Sequence, residues 1–129
     1  MNFPIRVYYE NTDAGGVVYH AQYLNFFERA RTEYLRSLGF SQQKLLAQHV
    51  AFVVKHLEID YKEAARLDDQ LIVETKITEI RKASIVFEQF LWKADRCLSL
   101  AKVLVATVDL QKMKPIKMPF SIYQALQAV

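Results

Sequence analysis

The chain has 129 residues and a mass of 15.0 kDa, which suffices for one folded domain and leaves no room for a second independent core. Its composition, with 52% apolar and 24% charged residues, is typical of a globular protein and excludes a disordered chain. The net charge of +3 favours an anionic partner, but the basic residues are scattered along the chain, which is unusual for a nucleic-acid-binding protein.

The N-terminal segment MNFPIRVYYE has neither the basic start nor the apolar run of a secretory signal, and no stretch reaches the roughly 18 apolar residues that span a membrane. We therefore expect a cytoplasmic protein with a single domain over residues 1–129 and no transmembrane segment. The aromatic and apolar run from Phe3 to Tyr9 predicts a strand. The turn-forming sequence NTDAGG follows it at residues 11–16.

A long helix is predicted after this turn. From Tyr19 to Leu38 the apolar side chains recur at steps of three and four residues, and Gly39 ends the pattern. A shorter helix is expected from Ser41 to Gln48, where Ser41 is a suitable N-terminal cap. Because the long helix carries a stripe of aromatic side chains, it has to pack against a large apolar surface.

Strands dominate the rest of the chain, followed by a terminal helix or tail at residues 120–129. Alternating apolar and polar residues indicate three strands, and a fourth run is apolar on both faces, as in a central strand. The four strands are expected at residues 52–61, 71–78, 85–91 and 98–110. This order predicts an α+β domain in which a curved, mostly antiparallel sheet of about five strands wraps the long helix. Val103 and Val105 are expected on the outer sheet face, where they would favour a homo-oligomer.

Asp13 and His20 flank the glycine pair, and each has more than one interpretation. An aspartate in a glycine turn commonly accepts hydrogen bonds from its own backbone, which is a structural role. The turn leads directly into a helix, however, and the unpaired N–H groups and dipole of a helix start stabilise a developing oxyanion. Asp13 could thus also attack an acyl group or accept a proton there. His20 is an acid–base group, a donor to a carbonyl, or a polar residue at the helix start.

Other common catalytic motifs are absent from the sequence. It contains no Gly-x-Ser-x-Gly motif of a serine hydrolase and no glycine-rich phosphate loop. The three histidines lack the spacing of metal ligands, so no metal site is predicted. The lone Cys97 cannot form an internal disulfide and is expected in the core or in a strand. Catalysis at this end of the chain would therefore use Asp13 and backbone donors.

The sequence NTDAGGVVYHAQYLNFFERARTEYL at residues 11–35 resembles the opening of the hotdog-fold thioesterases of the 4-hydroxybenzoyl-CoA thioesterase class. It is most similar to the YbgC-type acyl-CoA thioesterases associated with the Tol-Pal system. The similarity continues in FVVKHLEIDYKEAARLDDQLIVET and in EIRKASIVFEQ, at residues 52–75 and 79–89. The family fold is a helix wrapped by an antiparallel sheet. Its dimers join their sheets edge to edge with the active site at the interface, so the resemblance implies a homodimer or homotetramer.

The resemblance also implies roles for residues near the glycine turn. Asp13 falls on the family's catalytic carboxylate, which attacks the thioester carbonyl or activates water. His20 falls where the helix start offers a backbone N–H to the thioester oxygen. Tyr9 matches a tyrosine associated with the active site, and Glu28 falls where relatives have an acidic helix residue of varying role.

A second group of residues is implied to bind the substrate. Arg81 and Lys82 match a basic turn that grips the phosphates of coenzyme A, although Ala83 replaces the third basic residue of some relatives. The implied reaction is hydrolysis of acyl-CoA or acyl carrier protein thioesters without a cofactor, since coenzyme A belongs to the substrate. Two alternatives stay open: a module that binds these thioesters without hydrolysis, and a nucleic-acid-binding module, motivated only by the pI near 9.0.

Overall fold

The computed structural model describes residues 1–129 as one antiparallel sheet curled around a long helix. The helices and strands in chain order are β1 (Asn2–Arg6), α1 (His20–Ser37), α2 (Gln42–Ala47), β2 (Val50–Tyr61), β3 (Gln70–Ile80), β4 (Ser84–Lys93), β5 (Arg96–Asp109), β6 (Lys114–Pro115) and α3 (Phe120–Gln127). This is the α+β hotdog arrangement that the sequence predicts. No helix is both long and apolar enough to span a membrane.

The sheet has the order β1-β3-β4-β5-β2, and every neighbouring pair is antiparallel. β5 lies between β4 and β2, which confirms the central strand inferred from its apolar faces. The short β6 also pairs with β5, a contact that the prolines of this segment limit to two residues. β1 and β2 are the two edges of the main order. The end of the first strand was predicted too far along the chain, because β1 stops at Arg6 and Tyr9 begins a single 3-10 turn, Tyr9–Asn11.

The helix α1 buries its aromatic stripe against the sheet. Phe26 and Phe27 are completely buried, and Ala30 is 1% exposed. Val103 and Val105 of β5 belong to this same cluster, so the prediction that they lie on the outer face is wrong. In a strand that is apolar on both faces, alternation cannot reveal which set of side chains meets the helix.

A polar network crosses the core below α1. The guanidinium of Arg31 donates to Oε1 of Gln89 at 2.8 Å and also pairs with Glu28. The amide of Gln89 donates to the carbonyl of Phe27 at 2.9 Å and to the hydroxyl of Thr75 at 3.0 Å. Desolvation lowers the pKa of Arg31 against the opposing effect of Glu28. Gln89 therefore joins α1 to β3 and β4 and satisfies a buried cation.

We expect the substitution Gln89→Leu to lower the free energy of unfolding by about 1–3 kcal/mol, because it leaves the buried guanidinium of Arg31 without its neutral acceptor. Chemical denaturation of the variant and of the parent protein measures this difference. Gln124→Leu, at an exposed position of α3, is the matched control. Equal stability of Gln89→Leu and the parent would contradict a role for this network in the fold.

Candidate active site

The glycine turn before α1 is closed by backbone hydrogen bonds. The N–H of Asp13 donates to the carbonyl of Val17 at 2.9 Å, and the N–H of Gly16 donates to the backbone carbonyl of Asp13 at 3.2 Å. Gly16 has φ +79°, a conformation that side chains rarely adopt, which explains the glycine at this position. This local pairing makes residues 12–18 a small, fixed loop.

The carboxylate of Asp13 is exposed within that loop. Its Oδ1 accepts the N–H of Gly15 at 2.8 Å, which is the structural role that the turn predicts. A Cβ at Gly15 would lie 3.3 Å from the same oxygen, so a larger residue would crowd the carboxylate. The other oxygen has no hydrogen-bond partner in the chain. Asp13 is thus held in place with one oxygen free.

The first turn of α1 begins beside this loop with open donors. The N–H of Tyr19 donates to the carbonyl of Asn11 at 2.9 Å, and the N–H of Gln22 donates to the carbonyl of Tyr19 at 2.8 Å. The N–H groups of His20 and Ala21 have no partner among the turn and loop hydrogen bonds, and no side chain caps the helix. Unpaired N–H groups and the helix dipole favour a negatively charged oxygen at this position.

Asn11 fixes the loop to the helix and was not identified from the sequence. It is 2% exposed. Its Oδ1 accepts the N–H of Tyr8 at 2.8 Å, and its Nδ2 donates to Oε1 of Gln22 at 2.9 Å. With the backbone bond to Tyr19, these contacts tie the segment before Asp13 to the first turn of α1. In the sequence Asn11 looks like any turn residue, because its partners depend on the folded helix.

Tyr61, at the end of β2, contacts the same helix start. Its hydroxyl donates to the carbonyl of His20 at 2.9 Å, and its ring lies edge-on to Tyr23 with centroids 5.0 Å apart. Desolvation raises the pKa of Tyr61, with a smaller contribution from Tyr23. An open cleft of about 250 Å³ is lined by Val18, His20, Tyr23, Tyr61, Lys62, Glu63 and Ala64. No sequence signal links Tyr61 to His20, which lies 41 positions earlier.

Tyr9 and Glu28 take different places relative to this helix start. Tyr9 is 83% exposed in the 3-10 turn, and its carbonyl accepts the hydroxyl of Thr12 at 2.7 Å. It therefore lies on the same loop segment as Asp13. Glu28 follows His20 by eight positions, which is about 12 Å along the helix, and pairs with Arg31.

Arg81 and Lys82 lie at the opposite end of the sheet from Asp13. β3 begins at Gln70, beside the loop that carries Asp13, and ends at Ile80, just before the basic turn. Its 11 residues span roughly 35 Å. The structure thus brings Asp13, His20 and Tyr9 to one end of the sheet and leaves the basic turn at the other end.

The two basic residues of this turn differ in their partners. Arg81 donates from Nε and from one terminal nitrogen to the carboxylate of Glu79, at 2.9 and 3.0 Å, and this pairing raises the pKa of Arg81. Lys82 forms no salt bridge. The chain holds no cluster of three or more His, Cys, Asp or Glu side chains suited to a metal ion.

Comparison with known protein families gives one matching model, described as the thioesterase superfamily, over residues 15–99. The match begins in the glycine turn beside Asp13. It includes His20, Glu28, Arg81 and Lys82 and ends near the start of β5.

Individual relatives extend this similarity over most of the chain. The chain is 64% identical over 119 residues to "Acyl-CoA thioesterase YbgC" of Haemophilus influenzae, covering 92% of this chain and 88% of the relative. It is 55% identical over 121 residues to "Acyl-CoA thioester hydrolase YbgC" of Escherichia coli O157:H7, covering 93% and 90%. The crystal structure of a probable thioesterase from Bartonella henselae superposes with a TM-score of 0.86 at 40% identity, covering 92% of this chain and 98% of that one.

We expect the thermal stability of Tyr61→Phe to fall below that of the parent protein at neutral pH, because the hydrogen bond to His20 is lost. A raised pKa in the folded state means that this contribution is complete below the ordinary value of about 10 and disappears as the pH rises through the folded value. The difference in Tm should therefore shrink above about pH 10. Tyr19→Phe, whose hydroxyl has no partner in the chain, serves as the control. A constant difference at all pH values would contradict the assignment.

Proposed function

Since this chain belongs to the thioesterase superfamily, we propose that it hydrolyses acyl-CoA thioesters to a free acid and coenzyme A. The relatives in Haemophilus influenzae and Escherichia coli, which match nearly the whole chain, bear the names of acyl-CoA thioesterases. The observation that carries the proposal is the juxtaposition of an exposed, oriented carboxylate with the uncapped first turn of α1. The protein would act in the cytoplasm, where acyl-CoA is available.

The reaction needs little catalytic apparatus, because a thioester carbonyl is electrophilic and a thiolate leaves without strong acid assistance. The N–H groups of His20 and Ala21 would bind the carbonyl oxygen and stabilise the oxyanion that forms on attack. Asp13 would either add to the carbonyl carbon, giving an anhydride that water then cleaves, or remove a proton from the attacking water. In both routes the C–S bond breaks with its electron pair on sulfur, and the thiolate then takes up a proton.

The other residues of the site would assist this chemistry. Tyr9 lies on the segment that carries Asp13, and its exposed ring is free to cover the thioester. Glu28 would act as an accessory group farther along α1, where Arg31 orients its carboxylate. Tyr61 would keep the first turn of α1 in position through the carbonyl of His20.

A single chain cannot use both ends of the proposed substrate site, because the pantetheine arm of coenzyme A is shorter than β3. We propose that a homodimer resolves this separation. β2 is an unpaired edge of 12 residues with exposed Val53 and Val54. Its Tyr61 end lies at the helix start and its Val50 end near the basic turn. Antiparallel pairing of two β2 strands would place the basic turn of one copy beside Asp13 of the other.

This geometry supports the residues proposed for phosphate binding. Lys82 would bind the phosphates of a coenzyme A whose thioester lies at the other copy's Asp13. Arg81 would contribute to the extent that its pairing with Glu79 leaves its charge available. Two dimers could associate further into a tetramer through their outer sheet faces. Thioesters of acyl carrier protein share the phosphopantetheine arm and are proposed as additional substrates.

We expect Asp13→Asn to lower kcat for acyl-CoA hydrolysis by at least about 100-fold, because the amide neither attacks nor accepts the proton of water. The substitution keeps an oxygen that accepts the N–H of Gly15, so the turn should survive. Thiol release across a panel of acyl chain lengths measures the effect, and circular dichroism checks the fold. Asp95→Asn, in the exposed β4–β5 turn, is the control. Near-normal activity of Asp13→Asn would remove this residue from the mechanism. If the parent protein binds acyl-CoA tightly without turnover, the chain is instead a binding module.

The backbone donor at position 20 can be tested separately from the histidine ring. His20 is the first helical residue, where proline is tolerated, and Tyr19 already has φ −62° and ψ 136°, which suit a residue before proline. We expect His20→Ala to reduce kcat only slightly and His20→Pro, which lacks the N–H, to reduce it about 100-fold. Steady-state kinetics of the two variants, with thermal melts as the control for folding, decide this. Equal losses would assign the role to the ring.

A further inference from the structure

We propose that a groove between the β3–β4 turn and α3 binds the 3′-phosphorylated adenosine of coenzyme A. The groove has a volume of about 270 Å³ and is lined by Lys82, Lys117, Met118, Phe120 and Tyr123. Four of these residues lie outside the part of the chain that matches the thioesterase model, residues 15–99. The inference rests on the proposed function, since it names the part of the substrate that this surface would hold.

The C-terminal segment is fixed to the basic turn. The N–H of Met118 donates to the carbonyl of Lys82 at 2.8 Å, and the N–H of Thr107 donates to Ala83 at the same distance. Met118 is 5% exposed, and Ile122 of α3 is 1% exposed within the main core. The walls of the groove are therefore held by backbone hydrogen bonds and by core packing, and it exists without a ligand.

The charge of the groove comes from two lysines. Arg81 already has a carboxylate partner, whereas Lys82 and Lys117 are exposed and form no salt bridge. From the sequence, Ala83 leaves the turn one cation short of some relatives. The fold supplies that cation from another segment, because it places Lys117 in the same groove as Lys82. Two unpaired ammonium groups suit a phosphate dianion.

The remaining wall of the groove is aromatic. Phe120 is 75% exposed although Ile122 and Leu126 of the same helix are buried, and the half-buried Tyr123 lies on the same face one turn later. An exposed ring beside two cations can stack on a purine base while the lysines hold its phosphate. A specific protein partner would need roughly 800 Å² of surface on each side, much more than five residues around a small groove provide. The size and chemistry of the groove thus favour a nucleotide.

The proposal can be tested with thioesters of one acyl group on coenzyme A, on dephospho-coenzyme A and on pantetheine. We expect Lys117→Gln and Phe120→Ala to raise KM for the acyl-CoA about tenfold with kcat unchanged. Neither variant should change KM for the acyl-pantetheine. The effect of Lys117→Gln should vanish with the dephospho compound, because the 3′-phosphate is missing. Lys112→Gln and Met113→Ala, exposed positions outside the groove, are the matched controls.

Two kinetic outcomes would overturn the proposal. One is an unchanged KM for acyl-CoA, and the other is an equal rise of KM for acyl-CoA and acyl-pantetheine. A defect confined to acyl carrier protein thioesters would also overturn it, by assigning the groove to a protein. If the parent hydrolyses no thioester, the proposed function fails, and calorimetry with adenosine 3′,5′-bisphosphate still decides the role of the groove. Binding that weakens about tenfold in Lys117→Gln supports it, and binding equal to the parent's contradicts it.

Discussion

The burial of α1 against the sheet is the constraint on which the rest of the structure depends. Phe26 and Phe27 lose all contact with solvent only when the helix lies across the concave face. That position determines where the helix begins, and the beginning is where the open N–H groups of His20 and Ala21 lie. Core packing far along the same helix therefore fixes the position of the N–H groups proposed as oxyanion donors, and the loop with Asp13 packs against this fixed helix start.

Two contacts fix the position of the Asp13 loop relative to the start of α1. Asn11 spans the loop and the first helical turn with its own amide, and Tyr61 reaches the same turn from the edge strand β2. Neither touches the carboxylate of Asp13 in the structure. Both contacts restrict the position of the open N–H groups relative to the carboxylate. Stabilisation of a developing negative charge requires such a fixed geometry.

The sequence predicted the elements well because their patterns are local. The helix stripe, the glycine turn and the alternating strands each appear within about twenty residues, and the resemblance identified the family. Prediction from the sequence failed where a contact joins residues that are far apart in the chain. The side of β5 that Val103 and Val105 occupy depends on strand pairing, as does the contact of Tyr61 with His20. The resemblance assigned Asp13 and Arg81 to one substrate but could not show that a single chain separates them by the length of β3.

Strand direction has a further consequence for mixtures of chains. Antiparallel neighbours force the basic turn and the Asp13 loop to opposite ends of β3. In the proposed dimer each composite site takes its carboxylate from one copy and its cations from the other. A chain defective only at Asp13 and a chain defective only at the basic turn would therefore form a mixed dimer with one intact site. Two alleles that are each inactive alone would restore part of the activity together, a genetic complementation that follows from sheet topology.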